Sequence, residues 1–200
     1  MQDMWDDRYS NEEFYYGVEP NVYLKEKLSD LEKGSILLTA EGEGRNAVFC
    51  AEIGWNVVCY DTSKVGKSKA EQLAKLRNVK IDYHIDSHKS FISNELFDVI
   101  AICYNHLPNF YRESFHKKII NYLKPNGYLI LECFNKNQIN NNTGGPQDIN
   151  QLYSLDELIH DFDNLNIIEG IETNIELKEG IGHVGHSSVV RIFAKNNLSI

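Results

Sequence analysis

Residues Ile36–Ala51 read ILLTAEGEGRNAVFCA, an apolar run followed by two glycines and then by apolar residues at helical spacing. The glycines are Gly42 and Gly44. Glycine permits positive φ and has no Cβ, so a tight loop here could bring backbone N–H groups close to a ligand. The stretch therefore predicts a strand, a ligand-binding loop and a helix. The alternative is a glycine turn that merely joins the strand to the helix.

Runs rich in β-forming residues alternate with segments of helical spacing on both sides of this loop. The predicted strands are Ile36–Thr39, Asn56–Tyr60, Lys80–Ile85, Phe97–Cys103 and Tyr128–Phe134. The predicted helices between them are Asn46–Ile53, Val65–Arg77 and Phe110–Leu123. Such alternation implies right-handed crossovers and a parallel sheet with helices on both faces.

The flanking segments extend this α/β core. A helix is predicted over Asn21–Leu31, and another near Leu155–Phe162. Between the core and that second helix, Gln138–Pro146 is polar and contains glycine, which predicts a loop that is mobile or ordered on binding. The last strands, Ile167–Leu177 and Ser187–Ala194, can pair antiparallel.

These elements together predict an α/β fold of one domain, residues 1–200, with a seven-stranded, mostly parallel sheet and an antiparallel C-terminal strand. We divide it into an aromatic N-terminal arm and helix (1–33), a cofactor-binding core (34–134) and a C-terminal, substrate-side portion (135–200). The length of 200 residues suits a single sizeable core.

Composition narrows the possible partners. The net charge of −9 disfavours a dominant electrostatic attraction to nucleic acid or to an anionic membrane, which favours a small-molecule partner. The sequence shows no signal peptide and no run near the ~20 apolar residues of a membrane span, so we expect a cytoplasmic protein. The oligomeric state is left open.

Cysteine and histidine spacing predicts neither a disulfide framework nor a metal site. The cysteines, Cys50, Cys59, Cys103 and Cys133, lie far apart without a C-x-x-C pair, which is typical of reduced core residues. His183 and His186 invite a metal interpretation, but no third ligand is evident beside them.

Residues that can bind a ligand follow each of the first four predicted strands: the glycine loop after the first, and polar or titratable side chains after the others. In an open α/β sheet, ligands lie beyond the carboxyl ends of the strands, where these residues would meet. After the glycine loop they are Asp61, Thr62 and Ser63, then Asp86 and Ser87, then Tyr104, Asn105 and His106. The arrangement predicts a binding site at this edge of the sheet.

The loop fits two kinds of cofactor. Gly42, Gly44 and Ala47 satisfy the dinucleotide pattern G-x-G-x-x-G/A, and Asp61 follows Gly42 by 61 − 42 = 19 residues, near the spacing of an acid that binds a ribose hydroxyl. The loop therefore leaves a nicotinamide or flavin dinucleotide open.

Two carboxylates in the loop favour a cofactor without phosphate. Glu41 and Glu43 would repel a doubly anionic pyrophosphate, with only Arg45 to offset them. S-adenosylmethionine has a cationic sulfonium and a ribose but no phosphate, so the sequence favours it over a dinucleotide.

Individual roles follow from position, each with an alternative. Asp61 could accept ribose hydroxyls or cap the next helix, for which Ser63 is also available. Asp86 could accept from an adenine amino group while the Ser87 N–H donates to a ring nitrogen, or Asp86 could be a solvated loop acid.

Residues nearer the reacting group also have two interpretations each. Arg45 and Asn46 begin a helix and could bind the carboxylate of a methionine tail, or Arg45 could form a surface ion pair. His106 could act as a general base or simply hold its loop by hydrogen bonds. The aromatic arm, which includes Trp5, Tyr9 and Tyr16, could be a packed cap or could close over a sulfonium.

The chain resembles class I S-adenosylmethionine-dependent methyltransferases, specifically the small bacterial tellurite-resistance-type, thiopurine-like branch. The resemblance covers nearly the whole chain: WDDRYSNEEFYYGVEPNVYL in the arm, EGEGRNAVF, YDTS, NHLP, YLKPNGYLILE, TGGP and EGIGHVGHSSVV. One departure concerns the loop, where many members read D-L-G-C-G-E-G. Here Leu38 replaces the acid and Ala40 the first glycine, and Glu41 could replace the missing acid.

The resemblance implies a Rossmann-like methyltransferase fold and in-line methyl transfer to N, O, S or a heavier chalcogen of a small acceptor. A catalytically silent binding protein of the same fold is the alternative. With the positions above, the predicted cofactor-binding residues are Arg8, Tyr9, Glu41, Gly42, Gly44, Arg45, Asn46, Asp61, Ser63, Asp86, Ser87 and Tyr104. The predicted catalytic residues are His106 and Tyr16, with Tyr104 also lining the acceptor pocket.

Overall fold

The computed structural model describes residues 2–197 as alternating strands and helices. The strands are β1 (Ser35–Thr39), β2 (Asn56–Asp61), β3 (Asp82–Ile85), β4 (Phe97–Cys103), β5 (Leu123–Phe134), β6 (Asn166–Glu179) and β7 (His183–Lys195). The α-helices are α1 (Gln2–Tyr9), α2 (Val22–Ser29), α3 (Arg45–Glu52), α4 (Lys64–Leu76), α5 (Asn109–Ile119) and α6 (Leu155–Asp161). Short 3₁₀ turns are formed by Ile120–Tyr122, Lys136–Asn140 and Ile149–Gln151.

The strands form one seven-stranded sheet in the order β3-β2-β1-β4-β5-β7-β6. The pairs from β3 to β5 are parallel, and β7 runs antiparallel to both β5 and β6. The predicted fold class, a mostly parallel sheet with an antiparallel C-terminal strand, is confirmed. Because β1 and β4 are neighbours at the point where the strand order reverses, their carboxyl ends mark the expected ligand crevice.

Side-chain alternation along the strands creates a core on each face of the sheet. Leu37 packs on the face covered by α5 and α6. Its neighbours Ile36 and Leu38 pack on the opposite face, with α2, α3 and α4. Both faces are buried, which is why the central strands read as almost continuous apolar runs.

The structure corrects several sequence-based boundaries. The arm contains a helix, α1, that the sequence analysis treated only as an aromatic segment. Strand β5 begins at Leu123 rather than at the predicted Tyr128, and its register against β4 shifts between Phe97 and Val99. The β6–β7 hairpin extends to Glu179 and His183, so its tip lies beyond the last residue of β5 that pairs with β7. Edge pairing of this kind depends on contacts far away in the chain.

The segment Gln138–Pro146, predicted to be mobile or ordered on binding, is held by hydrogen bonds within the protein. Gln138 is 1% exposed. Its amide donates to Thr143 Oγ1 and to the Gly144 carbonyl, and its Oε1 accepts from the Ser188 N–H. One buried glutamine therefore fixes the loop against β7, which the polar composition of the segment did not indicate.

No helix within residues 2–197 is long and apolar enough to cross a membrane. The cysteines are free thiols, with Cys50, Cys59 and Cys133 buried and Cys103 partly so. Burial raises the pKa of each of these thiols, which favours the protonated form and agrees with a packing role.

Candidate active site

The loop between β1 and α3 requires unusual backbone angles, at Ala40 (φ 53°), Gly42 (φ 55°) and Gly44 (φ 83°). A Cβ at Gly44 would lie 2.4 Å from the Ala70 Cβ on α4, so this glycine allows the two helices to approach. A Cβ at Gly42 would lie 2.5 Å from the Tyr9 hydroxyl. Gly42 therefore faces the arm, and Gly44 allows α3 to pack closely on α4.

Ala40 stands in the left-handed region, where an L-residue is strained by roughly 1–2 kcal/mol. We expect Ala40→Gly to raise the free energy of unfolding by about 0.5–1 kcal/mol, because the relief of strain exceeds the added entropy of the unfolded glycine. Urea denaturation measures the change. The control Ala51→Gly, within α3, should lower stability by about 1 kcal/mol. A loss of stability in Ala40→Gly would contradict the strain argument.

Glu41 caps the N-terminus of α3 with its own carboxylate. Its Oε1 accepts from the Ala47 N–H at 2.6 Å. Burial raises the pKa of Glu41 to about 7, against the hydrogen bonds and Arg45. A dinucleotide would place its pyrophosphate at this helix start, where the Ala47 N–H already donates to the Glu41 carboxyl group. The geometry therefore disfavours a dinucleotide.

Glu43, the other loop carboxylate, is also engaged within the protein. It accepts from the Tyr15 N–H at 2.8 Å, and Lys69 Nζ lies 2.6 Å from its other oxygen. The sequence predicts that both carboxylates repel a pyrophosphate and favour a cationic cofactor. Glu43 instead joins the arm to α4, so the argument against phosphate rests on the cap formed by Glu41.

Asp61 lies at the carboxyl end of β2 and organises two turns. One oxygen accepts from the Gly42 N–H at 3.0 Å and the other from the Ser63 N–H at 2.9 Å. Burial raises the pKa of Asp61. Each carboxylate oxygen has a further lone pair, so these bonds leave acceptor capacity for a ribose.

Ser63 is the N-cap of α4, accepting from the Gly66 N–H at 2.8 Å. Its hydroxyl donates to Asp6 of α1 at 2.5 Å. This supports the interpretation that Ser63, not Asp61, caps the helix, and it also joins the arm to the site.

Asp86 and Ser87 lie next to Asp61 as their positions predict, because the Asp86 N–H donates to the Asp61 carbonyl at 3.0 Å. The Ser87 N–H, however, donates to Ser90 Oγ at 2.9 Å. The predicted donor to an adenine ring nitrogen is therefore already bonded within its own turn.

The side chains of Arg45 and Asn46 are bonded to groups of the protein itself. Arg45 donates to Glu179 Oε2 of β6 at 2.9 Å and to the Glu19 carbonyl at 3.2 Å. Asn46 Oδ1 accepts from the Asn21 N–H at 2.8 Å. Both side chains are buried and join α3 to the arm and the hairpin, so the predicted binding roles of these side chains are not supported by their contacts.

An aromatic cluster lies past the ends of β4 and β5. The His183 ring lies 4.5 Å from the Tyr16 ring, 4.5 Å from the Tyr104 ring and 5.1 Å from the Phe134 ring, between ring centres. Tyr104 is held with φ 50°, an unusual angle for a bulky residue. Tyr16 and Tyr104, predicted to line the acceptor pocket, are therefore brought together, and His183 lies between them.

His106 is bonded through both ring nitrogens. Nδ1 lies 2.8 Å from the Gln151 carbonyl, and Nε2 accepts from the Phe134 N–H at 3.2 Å. Burial lowers the pKa of His106 to about 4. A general base needs an unengaged lone pair near the acceptor, so this geometry favours the alternative that His106 holds its loop.

The arm covers the glycine loop. Tyr9 is buried, with Trp5 stacked on it at 5.6 Å between ring centres. Arg8 donates to the Tyr16 hydroxyl at 3.0 Å and places its guanidinium over the Trp5 and Tyr15 rings. Both predicted roles of the arm are compatible with this arrangement, because a packed cap is also in position to enclose a sulfonium.

Sequence reasoning missed a buried carboxylate, Glu132 of β5. It accepts from Asn21 Nδ2 at 2.6 Å, Tyr104 Oη at 2.9 Å and Arg191 Nε at 2.6 Å. The sequence signal was a single acid within the apolar run YLILECF, where neighbouring residues on both sides are typical of a buried strand. Glu132 ties Tyr104 to the arm and to β7.

A cavity of about 390 Å³ opens between the arm and β6. Its walls include Tyr16, Pro20, Glu132, Leu177, Glu179 and Arg191. Tyr16 belongs both to this wall and to the aromatic cluster, and Glu179 bonds the His183 ring, so the cavity lies beside the cluster.

Known proteins share this sequence pattern and fold. Residues 36–127 match the family model described as a methyltransferase domain. A ubiquinone biosynthesis O-methyltransferase of Rickettsia canadensis (strain McKiel) is 31% identical over 121 residues, 57% of this chain and 50% of that protein. The chain thus spans about half the length of the curated relatives it matches.

Solved structures extend the likeness over nearly the whole chain. N-methyltransferase NodS from Bradyrhizobium japonicum WM9, in complex with S-adenosyl-L-homocysteine, has a TM-score of 0.75 at 13% identity and covers 98% of both chains. TehB from Haemophilus influenzae has a TM-score of 0.74 at 14% identity, covering 98% of this chain and 66% of that chain.

The strand order, the loop at the end of β1 and these similarities show a Rossmann-like fold that this chain shares with solved methyltransferases. The matched region, residues 36–127, contains the glycine loop and the carboxyl ends of β1 to β4, which are the parts that form the crevice.

Proposed function

We propose that this chain transfers a methyl group from S-adenosylmethionine to a small-molecule acceptor. The observation that carries the proposal is the paired use of two carboxylates: Glu41 caps α3, and Asp61 lies beside Gly42 at the end of β2. Such a crevice suits a ribose but has no free helix start for a diphosphate. The methyltransferase-domain match over residues 36–127 supports the same cofactor.

The cofactor supplies an activated methyl on a sulfonium, and the protein contributes alignment and exclusion of water. Asp61 would hold the ribose hydroxyls, with Asp86 adjacent for the base. The arm aromatics would enclose the sulfonium, where a cation over an aromatic ring gains about 0.5–2 kcal/mol. Tyr16 and Tyr104 would line the acceptor side.

Oxygen is the acceptor atom that we propose first, because the curated relatives are ubiquinone biosynthesis O-methyltransferases. Membership of the tellurite-resistance-type, thiopurine-like branch, a cytoplasmic location and the absence of a nucleic-acid partner are proposals as well. The fold similarity to TehB is compatible with that branch but does not select it.

Calorimetric titration with S-adenosylmethionine tests the proposal. We expect saturable binding well below millimolar cofactor, and no detectable binding of NADH at the same concentrations, because the Glu41 cap excludes a diphosphate. Release of S-adenosylhomocysteine is then measured with catechol, dithiothreitol and a primary amine as acceptors. Absence of cofactor binding at millimolar concentration would contradict the function. Binding without turnover of any acceptor would favour the catalytically silent alternative.

A further inference from the structure

Three histidines of low exposure, His106, His116 and His183, each contact a carboxylate or a carbonyl, and their second ring nitrogens distinguish them. His106 uses both nitrogens on backbone groups. His116 bonds Asp161 at 2.7 Å, but its Nε2 is buried within the core beside Phe162. His183 bonds Glu179, and its Nε2 has no hydrogen-bond partner among residues 2–197.

We propose that His183, oriented by Glu179, is the general base that removes a proton from the acceptor. The inference rests on the proposed methyl transfer and goes further by naming the class of acceptor. That class is a molecule whose attacking atom still carries a proton, such as a hydroxyl or an amine, rather than an already ionised oxyanion or thiolate.

The contact with Glu179 determines which nitrogen of His183 can accept a proton. The Glu179 Oε2 lies 2.9 Å from Nδ1, so Nδ1 carries the hydrogen and donates it to the carboxylate. Nε2 then keeps its lone pair. Arg45 also donates to Glu179 Oε2, which keeps Glu179 ionised and fixed in position.

The position of His183 places it on the acceptor side. It begins β7 at the hairpin tip, where the Ile181 and Gly182 N–H groups donate to the Tyr15 carbonyl of the arm at 2.9 and 3.0 Å. Its ring lies between those of Tyr16 and Tyr104. The side chain is 5% exposed, so it is shielded from bulk water, and its Nε2 edge lies beside Gly144 of the Gln138–Pro146 segment.

The surrounding charges favour a neutral ring at pH 7. Desolvation lowers the pKa of His183, the Glu179 carboxylate raises it, and the guanidinium groups of Arg45 and Arg8 lower it further. Burial raises the pKa of the Tyr16 and Tyr104 hydroxyls, so both stay uncharged. A base must be unprotonated before the reaction, and this environment provides that state.

The step balances in atoms and charge. The acceptor atom forms a bond to the methyl carbon while its proton passes to His183 Nε2. The bond from carbon to sulfur breaks, and its electron pair stays on sulfur to give neutral S-adenosylhomocysteine. The positive charge lost from the sulfonium appears on the imidazolium, which Glu179 stabilises at 2.9 Å. Water then removes the proton after product release.

The first test is His183→Gln with His186→Gln as the matched control, since His186 is exposed on the same hairpin. With catechol and saturating cofactor at pH 7, we expect His183→Gln to lower kcat by about 100-fold or more, within the range of general-base effects. The rate should lose its dependence on an ionisation below pH 7, while cofactor Kd changes less than twofold. His186→Gln should match the wild-type chain. Unchanged kcat and pH profile in His183→Gln would overturn the proposal.

Glu179 is a positioning residue, so its test uses the pH profile. Glu179→Gln keeps an acceptor for the Nδ1 hydrogen but removes the charge, and we expect the kcat profile to shift to lower pH with a smaller loss than in His183→Gln. A variant with lower rate but an unshifted profile would contradict the assigned role of Glu179.

The second measurement needs no acceptor. Long-range ¹H–¹⁵N spectra of the wild-type chain at pH 7, with and without S-adenosylhomocysteine, report the protonation of each ring nitrogen, and the His183→Gln spectrum identifies the signal. We expect hydrogen on Nδ1 and none on Nε2. An Nε2-protonated tautomer or an imidazolium overturns the proposal even if no acceptor turns over. Failure of the methyltransferase function appears separately, as absent cofactor binding.

Discussion

Asp61→Ala is expected to raise the Kd for S-adenosylmethionine by about 10- to 100-fold, since a hydrogen bond to a charged group contributes about 1.5–3 kcal/mol. The carboxylate accepts from the N–H groups of Gly42 and Ser63 and would accept the ribose hydroxyls as well. Its removal therefore loses a direct contact and loosens the loop that surrounds the ligand. Isothermal titration calorimetry measures the change.

The control for this variant is Asp82→Ala on the neighbouring strand β3, where the carboxylate is 67% exposed and faces His84. This variant also removes one carboxylate, but from the exposed start of β3 and away from the crevice. The Kd of Asp82→Ala for S-adenosylmethionine should therefore stay within about twofold of the wild-type value. Equal affinities in the Asp61 and Asp82 variants would refute the ribose assignment. Titration with adenosine separates the nucleoside contribution from that of the methionine tail.

Glu41→Gln is expected to stabilise the protein above pH 7 by about 3 kcal/mol relative to the wild-type chain. Glu41 has a pKa of about 7 when folded and an ordinary pKa of 4.5 when unfolded, so between these pH values the folded chain holds a proton that the unfolded chain has released. The wild-type free energy of unfolding therefore falls as pH rises through this window, at 1.36 kcal/mol per pKa unit. Glutamine can accept the Ala47 N–H without this ionisation.

Urea denaturation of both chains from pH 4 to 8 tests this expectation. The two stabilities should be similar at about pH 4 and below, where Glu41 is mostly protonated in both states, and should diverge by pH 7. Glu71→Gln, which alters an exposed carboxylate on α4, reports the ordinary effect of removing a surface charge. A Glu41→Gln chain that is less stable than wild type at pH 8 would show that the ionised cap of α3 outweighs the cost of its burial.

The fold was predictable because its signals are local. The alternation of apolar strand and helix runs set the parallel sheet, and the glycine loop marked where β1 ends and α3 begins. The strand ends also located Asp61 and Tyr104, because position after a strand places a residue at one edge of the sheet.

The partners of individual side chains were not predictable, since they come from distant parts of the chain. Arg45 bonds Glu179, which is 134 positions away, instead of a ligand. His106 follows a strand and was a reasonable base from the sequence, yet its nitrogens are used by Gln151 and Phe134. The tip of the β6–β7 hairpin brings His183 to the crevice, and no spacing rule relates that residue to β4.

The contacts between the N-terminal arm and the glycine loop also affect how fast a bound molecule would dissociate. Tyr9 packs against Gly42, and Asp6 accepts a hydrogen bond from Ser63 at the start of α4. Helix α1 therefore covers the crevice in which we propose that the nucleoside binds. We expect a nucleoside bound under α1 to leave more slowly while these contacts are intact. For the proposed methyl transfer, we therefore expect dissociation of S-adenosylhomocysteine to be slower than the chemical step.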